Sequence, residues 1–430
     1  MPLFNPQVET APREHLQNLQ MQRLRALLTE IDGRNAFYSE RLRAWQARPE
    51  DFQTPADVTR LPFTTKQDLA EDQAEHPPFG RNLTYPESRY TRFHQTSGTT
   101  GQPLQVLDTP ESWDWWGRCW GYVLAGAGLT AEDRLFVAFG FGPFIGFWAA
   151  VEGARHVQAL LVPGGGRDSL QRLQLMRDTR CTALCCTPTY ALRLAEVAQQ
   201  NGFDLHSLPI RATVHAGEPG ANVPATKRLL EEAWGAKCYD HAGATEVGAF
   251  AFECEAQPGG MHFNEAEFII EVVHPDTGRA VEVGEVGELV VTNLGRPGFP
   301  VLRYRTGDMV RLATGPCDCG RTFLRCEGGI LGRYDDMRTV RGVNVYPSAL
   351  ENLVRRVPGV VEFRVTVAKK GALDTLRVEL ECGDGPEPSA VAQSVSDSIR
   401  HHLGLRPEVN VVPKNTLPRF ELKARRFWVE

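Results

Sequence analysis

No stretch of the 430-residue chain approaches the ~20 consecutive apolar residues needed to cross a bilayer, so a membrane-spanning protein is not expected. Nor is there a lysine- or arginine-rich block, and the formal net charge is -6. That removes the electrostatic reason to expect nucleic acid or an anionic membrane as partner and leaves a small molecule as the expected one. Internal repeats and low-complexity tracts are missing too, which excludes solenoids and long disordered linkers. The ten cysteines are scattered rather than spaced as the framework of a short secreted chain. The opening MPLFNPQVETAPREHLQ lacks an apolar core behind a basic start, so a signal peptide is not read there. A cytoplasmic protein with reduced thiols is the expectation.

What is present is length enough for two or three units of roughly 100–200 residues each. Leu16, Leu19, Leu24, Leu27, Leu28 and Ile31 recur at three and four, which predicts an amphipathic helix from about His15 to Trp45. Between about Asp133 and Pro224, apolar runs (LFVAF, ALLVP, TALCCT, ATVHAG) alternate with helical stretches (DSLQRLQLMRD, PTYALRLAEVAQQ). The alternation predicts an α/β fold with mainly parallel sheets flanked by helices. From Ala266 the pattern shortens to FIIEVV and GELVVTNL between turn segments, which reads as a β-rich subdomain spanning about 247–332. Helix and strand signals then repeat in a compact α+β unit over 333–430. The expected division is therefore an N-terminal domain, 1–332, and a small C-terminal domain.

Several segments carry chemistry. Thr96, Ser97, Gly98, Thr99, Thr100 and Gly101 offer hydroxyls and bare backbone to phosphate oxygens, although a solvated turn uses the same residues. It is not a Walker loop, since GxxxxGK[ST] is absent. Asp308 closes YRTGD, where a carboxylate can accept from two ribose hydroxyls, or cap a turn. Thr245 and Glu246 set a hydroxyl beside a carboxylate, a pair that suits Mg²⁺, which keeps most of its water and phosphate ligands. Cys317 and Cys319 in a CxCG knuckle, with Cys254 and His262 upstream, make a closed tetrahedral zinc set, with Cys326 as a substitute ligand. Free thiols are the alternative. Phe139 to Gly146 (FGFGPFIG) combines flat rings with bare backbone, a slot for a planar acid or an ordinary buried strand and turn.

TSGTTGQPL from Thr96, GATE from Gly243, YRTGD from Tyr304 and GRYDDMRTVRGVNVYPSALE from Gly332 follow in fixed order. Together they resemble the adenylate-forming enzyme superfamily, in particular its phenylacetate-CoA ligase branch. The resemblance implies ATP, Mg²⁺ and coenzyme A, with zinc as a structural ion. It implies nucleotide binding by the Thr96–Gly101 loop, by Ala216, Gly217, Glu218 and Pro219 as the adenine turn, by Asp240 and His241, and by Asp308 and Arg333 at the ribose. Thr245 and Glu246 would meet the α-phosphate and magnesium. Lys423 would serve adenylate formation, and Asp335 would be the hinge about which a mobile C-terminal domain turns. Phe141, Phe144, His215, Gly243 and Ala244 would line the acyl pocket. The chain departs from the family's pattern where Gln102 replaces a lysine, Ala242 an aromatic residue and Leu422 a glycine, and where the acidic-plus-histidine wording after GxHxxE becomes Ala266-Glu267, which suggests a specialised relative.

The implied activity is an ATP-dependent aryl-acid:CoA ligase acting on phenylacetate, benzoate or an amino- or hydroxybenzoate such as anthranilate. Two alternatives stay open. The aryl group could pass to a carrier protein, amine or hydroxyl instead of CoA, or the protein could be a catalytically silent nucleotide binder. A homodimer is compatible with the resemblance.

Overall fold

The computed structural model describes residues 2–96, 103–341, 343–370, 373–420 and 423–430. Its central element is an eight-stranded sheet in the order Leu160–Pro163, Arg134–Val137, Ala183–Cys186, Ala212–His215, Lys237–Ala244, Gly248–Phe252, Gly260–Phe263 and Arg325–Glu327. The first five strands are parallel. The last three join antiparallel, so the sheet is mixed. Ala183–Cys186 and Ala212–His215 are buried at every residue, as expected of parallel strands covered on both faces. Their crossover helices start at side-chain caps: Asp168 accepts from the Gln171 amide and Thr187 from the Tyr190 amide.

Three sequence expectations change. The helix foreseen from His15 to Trp45 is two, Arg13–Ile31 and Ala36–Ala44. Gly33 turns left-handed at φ 73°, and Asn35 caps the second helix by accepting from the Tyr38 amide at 3.0 Å. The segment read as one β-rich unit divides between two sheets. Its outer hairpins extend the central sheet, while Phe268–Val273, Val286–Asn293, Tyr304–Arg311 and Gly332–Arg333 form an antiparallel sheet of their own. The third change is an unforeseen helix, Pro110–Gly126, which carries Trp113, Trp115, Trp116 and Trp120, all buried. Past Pro110, only a narrow stripe of Glu111, Asp114 and Arg118 reaches solvent, and tryptophans with Gly117 and Gly121 are weak helix formers, so local pattern leaves little helix signal.

The C-terminal residues build a four-stranded sheet, ordered Glu408–Val411, Leu373–Cys382, Val360–Lys370, Phe427–Val429, packed with helices Pro347–Arg355 and Pro388–Leu403. Buried apolar side chains separate into two clusters, one from Leu16 to Cys326 and one from Val340 to Leu405. Each part thus has its own core.

One buried ion pair ties the site's supports together. Asp108 ends the strand Gln105–Asp108 and receives two hydrogen bonds of 2.7 Å from Arg296, both side chains being 0% exposed. Arg296 also donates to the Thr245 carbonyl at 2.9 Å and lies over the Trp116 and Phe299 rings. Asp108→Ala strands a buried guanidinium, so the N-terminal part should lose about 3–5 kcal/mol of stability in urea unfolding. An unchanged midpoint would mean that solvent reaches the pair.

Candidate functional site

The segments singled out by sequence converge where open α/β sheets place ligands, outside the carboxyl ends of the parallel strands. Phe139–Gly146 follows Arg134–Val137, Thr187 follows Ala183–Cys186, Ala216–Pro219 follow Ala212–His215, and Thr245–Glu246 follow Lys237–Ala244. The chain order reverses at Arg134–Val137, whose neighbours are the next two strands of the sequence. The aromatic segment therefore sits at the switch point. Ser97, Gly98, Thr99, Thr100 and Gly101 lie outside the described residues; Thr96 is buried, and its hydroxyl accepts from the Leu104 amide at 3.0 Å.

Asp308 and Arg333, 25 residues apart, are register partners on adjacent strands. Arg333 Nη1 lies 3.4 Å from Asp308 Oδ1 and donates to the Thr306 carbonyl at 3.1 Å. Its other nitrogens grip both Asp335 oxygens at 3.0 Å, so the expected hinge residue is bonded to the expected ribose residue. Gly307 makes this approach possible. It is left-handed at φ 76°, and a Cβ there would stand 3.0 Å from the Arg333 guanidinium. Burial pushes the Asp308 carboxyl up to about 6, against the pull of Arg333.

Glu246 is buried and accepts from the Tyr304 hydroxyl at 2.7 Å, which links GATE to YRTGD. A single buried carboxylate beside Thr245 fits a magnesium ion that brings water and phosphate oxygens as its other ligands. Lys423 reaches the same place: its Cε lies 3.4 Å from where a Cβ on Gly217 would stand. The residue is exposed at the surface, yet desolvation at its ammonium lowers the pKa, against the charges of Glu218 and Glu246 that raise it.

Other expected residues are differently occupied. Glu218 accepts at both oxygens from main-chain amides, those of Thr189 at 2.9 Å and Ala424 at 2.6 Å, so in this arrangement its carboxylate is taken up by protein. Asp240 is held by Asn222 at 2.7 Å and by the His241 amide at 2.9 Å, and burial raises its carboxyl to about 7. The fully buried His215 ring has Cys186 O at 3.1 Å and Thr213 Oγ1 at 2.9 Å, and burial lowers its pKa to about 4. The ring packs inside the sheet and offers no unused nitrogen. His241 stacks on Trp120 at 4.4 Å. Gly243 is exposed beside it and Ala244 half-buried. Phe141 stands edge-on to Phe139 at 6.4 Å and tilted against Trp148 at 4.7 Å, whereas Phe144 is 41% exposed.

Cys254, His262, Cys317 and Cys319 converge, their ligand atoms all lying within 4.8 Å of one another. Cys254 Sγ and Cys317 Sγ are 3.5 Å apart, and Cys319 Sγ is 3.4 Å from His262 Nε2. Zinc–sulfur bonds of about 2.3 Å give a tetrahedral edge of roughly 3.8 Å, so the donors fit zinc. His262 Nδ1 faces the Phe323 carbonyl at 3.4 Å, which leaves Nε2 toward the thiols. Cys326 is not in the group, because its thiol points to Met261 O at 3.5 Å.

Sequence reasoning missed Tyr304, Arg296 and Arg426. Tyr304 opens the YRTGD motif without having been given a role, and Arg296 follows the GELVVTNL strand; their partners, Glu246 and Asp108, are 58 and 188 residues away.

The AMP-binding enzyme family matches residues 18–295, and the AMP-binding enzyme C-terminal domain matches residues 342–429. The chain is similar to a phenylacetate-coenzyme A ligase of Thermus thermophilus, 33% identical and covering 97% of each chain. It also superposes on 2-hydroxyisobutyryl-CoA ligase at 30% identity, covering 99% of this chain and 92% of that one. The TM-score is 0.93 against that ligase's postadenylation state with 2-HIB-AMP and 0.75 against its thioesterification state with 2-HIB-AMP and CoA.

Protein purified without added zinc should carry about one zinc per chain by elemental analysis, and Cys317→Ser should lower that content. Full zinc retention after loss of both Cys317 and Cys319 would remove the site.

Proposed function

The chain belongs to the AMP-binding enzyme family, in the branch of the phenylacetate-CoA ligases, and from that premise we propose that the acid it joins to coenzyme A is aromatic. It is an ATP-dependent, AMP-forming acid:CoA ligase that works through an acyl-adenylate. The observation that carries the aromatic reading is the cluster of Phe139, Phe141 and Trp148 at the sheet's switch point, whose rings pack edge-on and tilted against one another just past the carboxyl end of the strand Arg134–Val137. Phenylacetate, benzoate and amino- or hydroxybenzoates are its candidate substrates. The likeness to a 2-hydroxyisobutyryl-CoA ligase makes a small branched hydroxy acid the competitor.

In this reading Asp308 accepts from the ribose hydroxyls while Arg333 holds its carboxylate in place. Ala216, Gly217 and Pro219 flank the adenine, with Thr245 at the α-phosphate. Magnesium arriving with the nucleotide would be held by Glu246 and supplies neutralisation of phosphate charge. Lys423 places an ammonium where negative charge builds as the substrate carboxylate attacks the α-phosphate and pyrophosphate leaves. The C-terminal part, residues 333–430, then turns about Asp335, and the CoA thiol displaces AMP. Two separate apolar cores support that division of the chain. Zinc at Cys254, His262, Cys317 and Cys319 is structural, since four protein donors leave no open position.

The test is pyrophosphate release from ATP across aryl, aliphatic and hydroxy acids, each with and without CoA. Release with an aryl acid and a CoA-dependent thioester is the expected result, whereas a preference for a branched hydroxy acid would overturn the aromatic assignment. Lys423→Ala should slow adenylate formation at least about a hundredfold and spare thioester formation from supplied acyl-adenylate. Equal loss of both would mean the lysine is misassigned. Because Asp308 ionises at about 6, AMP affinity should rise as pH increases through that value and be flatter in Asp308→Asn, read by calorimetry.

A further inference from the structure

The Glu218 carboxylate bridges two distant parts of the chain. The Thr189 amide belongs to the first turn of helix Pro188–Gln200, where unpaired N–H groups and the helix dipole favour an anion. The Ala424 amide comes from 206 residues away and adjoins Lys423. On the other side of Glu218, the Lys423 stem lies close over the bare backbone of Gly217, whose left-handed φ of 96° suits a residue without a side chain. Arg426 repeats the bridge. It grips both Glu362 oxygens within the C-terminal part, at 2.6 and 2.9 Å, and donates to Thr189 Oγ1 at 3.2 Å. Two of the chain's charged side chains therefore converge on one helix turn and bracket the two residues after Lys423.

We infer that Glu218 is a positioning residue that clasps the Ala424 amide to hold Lys423 over the reacting centre during adenylate formation and releases it for thioester formation. The inference rests on the ligase reading above and on the role given there to Lys423. A carboxylate suits the task because both of its oxygens accept; a glutamine accepts at one and turns an NH₂ toward the other amide. The chain's closer match to a postadenylation arrangement than to a thioesterification one agrees with a clasp that is closed in the first state. Engaged in this way, the carboxylate acts on the lysine segment rather than on the adenine edge.

Glu218→Gln separates the possibilities. Single-turnover pyrophosphate release should slow about ten- to a hundredfold, the effect of losing a hydrogen bond to a charged group. Thioester formation from supplied acyl-adenylate and CoA should stay within about twofold of wild type, which also certifies the fold. Amide hydrogen exchange should quicken in the segment holding Ala424 and stay unchanged in the strand Ala212–His215. Equal loss in both half-reactions, a raised ATP KM at unchanged kcat, or no change in rate would each overturn the latch. If wild-type protein releases no pyrophosphate with any acid, the ligase reading fails instead. The exchange comparison then decides the clasp alone, and identical exchange at Ala424 in both proteins would overturn it.

Discussion

The ion pair between Asp108 and Arg296 sets the frame on which the candidate nucleotide site rests. Asp108 closes the hairpin strand that follows the Ser/Thr/Gly loop, and Arg296 reaches from the far end of the N-terminal part to the Thr245 carbonyl. The two ends of the site are thus fixed to one another through a guanidinium with no exposure to water. Such a pair gains little net stability, because desolvating two ions offsets their attraction. What it contributes is geometry. A guanidinium with five donors in a plane satisfies a carboxylate and a carbonyl in one arrangement, and the Trp116 and Phe299 faces hold that plane.

Around this frame the functional groups are linked in series rather than displayed separately. Tyr304 joins Glu246 to the antiparallel sheet, Arg333 joins Asp308 to Asp335, and Glu218 joins the helix at Thr189 to the lysine segment. The links from Tyr304 and Glu218 span 58 and 206 residues, so these groups meet only when both sheets and the C-terminal part are in place. This is the economy of an α/β crevice: short loops at strand ends supply the chemistry, and rigid elements beneath fix their spacing.

Much of this was legible in the sequence, and the exceptions share a cause. Strands such as Ala183–Cys186 and helices such as Pro188–Gln200 stand out because local pattern and cap residues agree. Cys254, His262, Cys317 and Cys319 could be grouped from residue chemistry alone, and the structure brings their donor atoms together. The tryptophan helix Pro110–Gly126 was invisible because its tryptophans and glycines are weak helix formers and only a narrow polar stripe marks its outer face. His215, read as a pocket residue, is instead consumed by Thr213 and Cys186, partners supplied by the strand itself and by its parallel neighbour. Glu218 was read as facing the adenine, but a motif does not reveal that a segment from the other end of the chain will claim its carboxylate. Arg296 carries no local mark, since its meaning lies in a partner 188 residues earlier. Local grammar reports what a residue can do; long-range packing decides what is left for it to do.

Because the C-terminal part keeps its own core, what joins it to the rest is largely polar. Thr226 donates to Glu351 at 3.0 Å, the Ala225 amide to Asn352 at 3.3 Å, and Arg419 pairs with Glu196 at 3.4 Å, beside the Glu218 and Arg426 contacts. Apolar cores respond weakly to dissolved ions, whereas partly exposed charges at a seam are screened over about 8 Å at physiological ionic strength. Ionic strength therefore acts on the seam before it acts on folding: added salt weakens the partly exposed pairing of Arg419 with Glu196 while the two apolar cores stay intact.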